Sequence, residues 1–259
     1  MKFLHRTETH STNDDVRHLA EQGELGPLWL RADSQTSGRG RHGRSWTSPS
    51  GNLYASGLFP LIGPPLAGAH LGFAAALSIA DTLKLYAPTA EVTLKWPNDV
   101  LLSGAKVSGI LLETGQYKDT PWVIVGIGIN LMHHPGGTPY PATHLLAHIS
   151  PEALNSPEPI YTGVDGVMAV LSEHFEYWRA LYSAQGFSAL RGPWLDRAQG
   201  LGHSAHIRLA DRAFEAKITG LGENGELQVE HDNGTIESVF AGDVFPAAAT
   251  TGETNVTGD

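Results

Sequence analysis

The chain contains no cysteine. That excludes structural disulfides, thiolate metal centres and every mechanism built on a cysteine nucleophile. Positive charge is also scarce: 17 Lys and Arg stand against 27 Asp and Glu, a formal net charge of −10. An acidic chain of this kind has no global field for DNA or RNA, so a nucleic-acid role needs a local basic patch. Long apolar runs are lacking as well. The longest, Trp122 to Met132, is too short to cross a bilayer, and the start, Met-Lys-Phe-Leu-His-Arg with Glu8, Asp14 and Asp15 close behind, has no signal-peptide apolar block. Hydrophobic residues make up 41% of the chain and charged ones 17%, which fits a packed fold better than disorder. The 259 residues suffice for one large domain plus a small one, and the expected setting is soluble and cytoplasmic, without a membrane partner.

Ser11-Thr12-Asn13 precedes a helical pattern at Val16, Leu19 and Ala20, a helix-start signal. Trp29 to Ala32 reads as a short strand, 34–51 as a loop and Leu53 to Phe59 as extended chain. Apolar positions from Leu66 to Tyr86 recur at helical spacing. Strand signals follow at Val92 to Trp96, Val100 to Glu113 with a break at Ser103-Gly104, and Trp122 to Leu131. Beyond a Gly/Pro-rich loop at His133 to Pro141, Val164 to Leu181 is a second long amphipathic helix, and Phe187 to Ala198 a shorter one. The character changes after Gly200. Four short strands, Ala205–Ala210, Phe214–Leu221, Leu227–Glu230 and Ile236–Phe240, are punctuated by Asn224-Gly225 and Asn233-Gly234. The expected division is 1–200, a small all-β unit at 201–246 that needs a partner surface, and a disordered tail at 247–259.

Three segments carry chemistry. Gly38 to Trp46 holds three of the eleven arginines, alternating with glycine. Arginine's planar fork suits carboxylate and phosphate oxygens, and glycine lets backbone approach a ligand closely. A flexible surface loop or a nucleic-acid contact remains open on composition alone. Lys95-Trp96-Pro97-Asn98-Asp99 is a turn between antiparallel strands, with Lys106, Ser108 and Gly109 on the next strand. Alternation puts Lys95 with Thr93 on one face and Lys106 with Ser108 on another. Two of only six lysines on adjacent apolar strands suggest a cationic pocket for an anion, with snorkelling lysines as the plain alternative. Gly126-Ile127-Gly128-Ile129-Asn130 closes a buried strand. It lacks the third glycine and the following helix of a dinucleotide fingerprint, so its small residues mark close approach. Asn130 reads as a ligand contact or a turn cap. No phosphate loop GxxxxGK[ST] and no metal-ligand spacing is present.

Taken together, Ser11-Thr12-Asn13, Gln35-Thr36-x-Gly38-Arg39-Gly40-Arg41-His42-Gly43-Arg44-x-Trp46, Gly51-Asn52-Leu53-Tyr54-x-Ser56, Lys95-Trp96-Pro97-Asn98-Asp99, Lys106-x-x-Gly109-Ile110-Leu111-x-Glu113 and Gly126-Ile127-Gly128-Ile129-Asn130 resemble the biotin protein ligases, in family order and over about residues 3–246. The resemblance implies an α/β (α+β) catalytic domain related to class II aminoacyl-tRNA synthetases, with a small C-terminal SH3-like β-barrel domain. It implies activation of biotin by Mg2+-ATP to biotinyl-5′-AMP, then transfer to a lysine of a biotin carboxyl carrier protein. It also implies that Ser11, Thr12, Asn13 and Gln35 line the biotin head group and that Arg39-Gly40-Arg41 folds over it. Arg41 and Lys106 would meet its carboxylate and the adenylate phosphate, and Arg44, Trp46, Asn98 and Asn130 would stand on the adenylate side. No protein ligand for the metal is implied.

The motif begins at Ser11, which leaves no room for the DNA-binding domain some relatives carry, so direct operator binding is not expected; a homodimer is left open. An octanoyl transferase would need a cysteine, and a lipoate ligase builds its loop differently. A nucleic-acid binder using the Arg/Gly loop and a biotin sensor without transfer activity are rival readings. The glycine-rich stretch 34–50 is expected to be mobile alone and to order over the adenylate, which shields a reactive anhydride from water. Limited proteolysis should therefore cut 34–50 more slowly with biotin plus ATP; equal cleavage with and without them would contradict this.

Overall fold

The computed structural model describes residues 1–63, 66–138, 140–154 and 161–246. In chain order the elements are β1 (Lys2–Thr9), α1 (Thr12–Glu21), β2 (Leu28–Gln35), β3 (Leu53–Pro60), α2 (Leu66–Tyr86), β4 (Val92–Lys95), β5 (Asp99–Leu102), β6 (Ala105–Tyr117), β7 (Thr120–Ile129), α3 (Pro151–Leu154), α4 (Gly163–Gln185) and α5 (Ser188–Leu195). After them come β8 (Ser204–Arg208), β9 (Ala213–Leu221), β10 (Leu227–Glu230), β11 (Ile236–Val239) and β12 (Asp243–Pro246). A seven-stranded sheet runs β1-β2-β3-β7-β6-β5-β4, parallel only at β1–β2, and a five-stranded antiparallel sheet runs β11-β10-β9-β8-β12.

Period-two alternation along β7 sets the layers. Val123, Val125, Ile127 and Ile129 enter the main core beneath α2, α4 and α5, while Trp122 and Ile124 join Val16 and Ala20 of α1 in a smaller cluster on the opposite face. Beyond Ile124 that second face turns to glycine, at Gly126 and Gly128, where only Asn13 from the first turn of α1 and the Trp46 ring lie close to the sheet among the described residues. This is where the site forms.

α2 is apolar almost all round because it is covered on nearly every side. Its length and composition alone would let it cross a membrane, but 78% of its most apolar window is buried inside the fold. The small sheet shares the same core: Ile218, Leu221, Leu227 and Val229 are continuous with the helical layer. Its Asn224-Gly225 turn docks by specific bonds. Trp96 Nε1 donates to Gly225 O at 3.1 Å and Arg191 Nε to Leu221 O at 2.8 Å. Gly225 has φ +87°, and a Cβ there would lie 2.7 Å from the Phe73 ring, so glycine is required.

The sheets differ from the sequence reading in particular places. β2 continues through Gln35, so the loop starts at Thr36 rather than Ser34. β1 and β12 are additional strands. β1 is an exposed edge strand of mostly polar residues, without the alternation that marks a half-buried strand. β12 is four residues long, too short for periodicity. The segment 247–259, expected to be a disordered tail, lies outside the described residues.

His70 ties the small sheet to the helices. Its buried ring lies with Nδ1 3.0 Å from the Tyr182 hydroxyl and Nε2 3.2 Å from Asn224 O, stacked on Phe187. A neutral ring, donating from Nε2 to the carbonyl and accepting from Tyr182, satisfies both contacts. Burial pulls the imidazole below its ordinary 6.5, with the Asn224 carbonyl and Glu226 opposing. A depressed folded pKa means that the unfolded chain takes up protons first, so this contribution is complete above pH 6.5 and declines from there down to the folded pKa. Urea unfolding should show the wild type losing more stability than His70→Gln between about pH 7.5 and about pH 5.5. Parallel losses would contradict this role.

Candidate functional site

Ser11 caps α1, its Oγ accepting from Asp14 N at 3.4 Å, and this buries Thr12 and Asn13 in the first turn. Thr12 N and Oγ1 both donate to Gln35 Oε1, at 2.9 and 3.2 Å, while Gln35 Nε2 donates to Ser48 Oγ at 2.9 Å. Asn13 Oδ1 lies 2.5 Å from Ser56 Oγ, and its Nδ2 donates to Glu113 Oε1 at 3.2 Å. The result is a buried corner of hydroxyls and amides with both donor and acceptor capacity.

The glycines of β6 and β7 make the floor. A Cβ on Gly126 would sit 2.2 Å from Asn13 Oδ1, one on Gly128 2.6 Å from the Trp46 indole, and one on Gly109 3.0 Å from the same ring. Trp46 therefore lies directly on bare sheet backbone. Its loop is folded back on itself, with Gly40 N donating to Arg44 O at 2.7 Å and Trp46 N to Gly38 O at 2.9 Å. His42 at the tip has φ +55°.

The pairing register corrects one expectation. Lys106 and Ser108 do not share a face. A register shift between Val100 and Leu101 pairs Val100 with Ser108 and Leu101 with Lys106, a bulge that turns Lys106 toward the space left by Gly109. Ser108 is buried instead and donates to Gly128 O at 2.7 Å.

Cations and carboxylates then converge. Lys106 Nζ is 2.6 Å from Asp99 Oδ1 and 5.5 Å from the Trp46 ring. Arg41 Nη1 donates to Asn98 Oδ1 at 3.3 Å and to Gly242 O at 3.4 Å, and lies 4.0 Å from Asp243. Asn98 Nδ2 is held by Ile110 O at 2.9 Å. Asp243 also accepts from Arg44, and from Arg208 at 3.0 Å. Lys95 Nζ stands 4.6 Å over Tyr140, which stacks on Phe245. Burial pulls the Arg41 guanidinium and the Lys95 ammonium down, opposed by Asp243 and Asp99 for Arg41 and chiefly by Asp99 for Lys95. Burial alone would raise Asp243, but hydrogen bonds from Arg208 and Arg44 hold it below its ordinary value.

The twelve residues to which the resemblance gives a role, Ser11, Thr12, Asn13, Gln35, Arg39, Gly40, Arg41, Arg44, Trp46, Asn98, Lys106 and Asn130, line one cavity of about 460 Å³. Arg39 sits at its margin, bidentate to Asp14. Asn130 lines the wall, and its Nδ2 donates to Thr143 O at 3.0 Å, a long-range tie that fixes the chain after β7. Sequence reading missed Asp99 as a partner of Lys106, although both lie in segments that carry chemistry. Arg208, Asp243 and Phe245 carried no local signal, because they reach the cavity only through the docking of the small sheet, whereas Tyr140 stands in the Gly/Pro-rich loop that the sequence marks out. Among the described residues no group of three or more His, Asp or Glu is placed to hold a metal ion.

A polar corner beside an apolar floor and a cluster of cations defines a site for a small acid with a hydrogen-bonding head. Comparisons agree with that class. Residues 6–130 match the biotin/lipoate A/B protein ligase family and residues 201–245 the biotin protein ligase C-terminal domain. A biotin–[acetyl-CoA-carboxylase] ligase of Paracoccus denitrificans is 36% identical over 222 residues, 85% of this chain and 90% of that protein. The bifunctional ligase/repressor BirA of Bacillus subtilis is 29% identical over 236 residues, 90% of this chain and 70% of that protein. Among solved structures, a biotin protein ligase from Aquifex aeolicus in complex with biotin and ATP has a TM-score of 0.74 at 27% identity, covering 94% of this chain and 97% of that one. The chain belongs to the biotin protein ligase family.

Gly128→Ala should lift Trp46 from the sheet, and amide hydrogen exchange in 38–47 should quicken by about tenfold while the core strands keep their protection. Unchanged exchange in that segment would show that the bare floor does not hold the loop.

Proposed function

We propose that the chain is an ATP-dependent ligase that activates biotin as biotinyl-5′-AMP and transfers it to a lysine of a biotin carboxyl carrier protein. The observation that carries the reading is the meeting of a hydroxyl-and-amide corner with Arg41 and Lys106 inside one cavity. Biotin's ureido ring offers two N–H donors and a carbonyl acceptor, which Ser11, Thr12, Asn13 and Gln35 can match. Its carboxylate and the ATP phosphates repel one another, so the chief catalytic need is positioning and positive charge at the reacting atoms. Arg41 and Lys106 supply that charge, and Arg44, Trp46, Asn98 and Asn130 stand toward the nucleotide. The carboxylate oxygen forms a bond to the α-phosphorus as the bond to pyrophosphate breaks. The acceptor amine then attacks the acyl carbon, loses a proton and expels AMP. Mg2+ enters as part of the nucleotide substrate.

In this reading residues 1–200 form the catalytic unit, 201–246 the small β unit, and the reaction is cytoplasmic. The nucleic-acid reading needs the loop arginines free on the surface. Instead Arg39 engages Asp14 and Glu113, Arg41 engages Asn98, and Arg44 engages Asp243.

Biotin-dependent exchange of pyrophosphate into ATP should be present in the wild type. Arg41→Ala and Lys106→Ala should each lower it by about a hundredfold or more with the fold intact by circular dichroism, the scale lost with one charge-stabilising donor. Full exchange in both variants would overturn the assignment.

A further inference from the structure

Glu113 takes no part in the chemistry above, yet three groups share its carboxylate. Oε1 accepts from Asn13 Nδ2 at 3.2 Å and from Arg39 Nη2 at 3.3 Å, and Oε2 lies 3.8 Å from Arg17 Nη1. Arg39 completes a fork on Asp14, with bonds of 2.9 and 2.7 Å, and Arg17 also pairs with Asp14. The arrangement follows from two periods: Glu113 shares the cavity face of β6 with Gly109 and Leu111, and Asp14 and Arg17 are one helical turn apart on α1. Asn13 is pinned on its other side by Ser56. One carboxylate therefore connects a side chain in the polar corner with an arginine of the loop that covers it.

We propose that Glu113, with Asp14, is a positioning residue that latches the glycine-rich loop over the bound adenylate through Arg39, while aligning Asn13. The proposal rests on the ligase reading. It gives Arg39 a role different from direct contact with biotin: its guanidinium is spent on two protein carboxylates. Half-exposed ion pairs contribute modestly one at a time, but a bidentate fork shared between two acids has the geometry that makes such pairs count. A lid needs only a modest bias. A shift of about tenfold in its closed population, or ~1.4 kcal/mol, is enough to change how long a ligand beneath it is held.

The test is the release of preformed biotinyl-5′-AMP from the full chain, followed by rapid filtration against an excess of unlabelled compound. Glu113→Gln keeps an acceptor for Asn13 and removes the charge; Asp14→Asn removes the charge of the other receptor. Each should speed release by about tenfold, and in an Arg39→Ala background neither should add more than about twofold, because residues acting through one partner are not additive. Raised salt should speed release from the wild type more than from Arg39→Ala. Unchanged release in both variants, or effects that multiply in the Arg39→Ala background, would overturn the latch. Should Glu113→Gln fail to fold, Asp14→Asn on the partly exposed first turn of α1 decides alone. A wild type that neither forms nor binds the adenylate would refute the ligase reading; one that holds it while release ignores these charges would refute only the latch.

Discussion

The cavity depends on cations that are already paired. Lys106 faces Asp99, and Asp243 collects Arg44 and Arg208 with Arg41 close by. Cations gathered in a cleft and left alone would turn outward, since removing an ion from water costs several kcal/mol or more. The carboxylates hold them inward and aimed. In the ligase reading proposed above they also fix where an incoming anion goes, because a carboxylate or phosphate that displaces Asp99 or Asp243 finds donors already oriented. Preorganisation of this kind stabilises developing charge without reorganisation at the moment of reaction.

This pairing explains why the small sheet belongs to the site. Asp243 lies on β12, while Arg41 and Arg44 lie in the loop between β2 and β3. The docking of Gly225 against Trp96 and of Asn224 against His70 sets the small sheet on the hairpin that carries Asn98 and Asp99. An insertion in the β9–β10 turn would therefore disturb the electrostatics of a cavity formed elsewhere in the chain. The glycines of β6 and β7 meet the opposite need. They remove side chains so that Asn13 and Trp46 can lie on the sheet backbone.

Much of this is legible in the order of residues alone. Helical spacing locates α2 and α4, turn residues locate the β4–β5 and β9–β10 connections, and an arginine loop in an acidic chain stands out by contrast. The rest is hidden for physical reasons. β1 is a polar edge strand held by its neighbour, so its own pattern says little. The bulge beside Val100 depends on a pairing register that no local run encodes, and it alone decides which way Lys106 faces. Arg208, Asp243 and Phe245 belong to the site by tertiary contact, and their local sequence has no reason to announce it. The roles of Ser11 to Asn13 come from resemblance, whereas the bonds that hold them to Gln35, Ser56 and Glu113 emerge only from the fold.

A crystal structure with a non-hydrolysable biotinyl-adenylate tests the central claim most directly. The account predicts the phosphate mimic within hydrogen-bond reach of Arg41 and Lys106, the ureido ring against Ser11 to Asn13 and Gln35, and the Lys106–Asp99 contact lengthened in favour of the ligand. A compound bound away from those cations, with Lys106 still closed on Asp99, would contradict it.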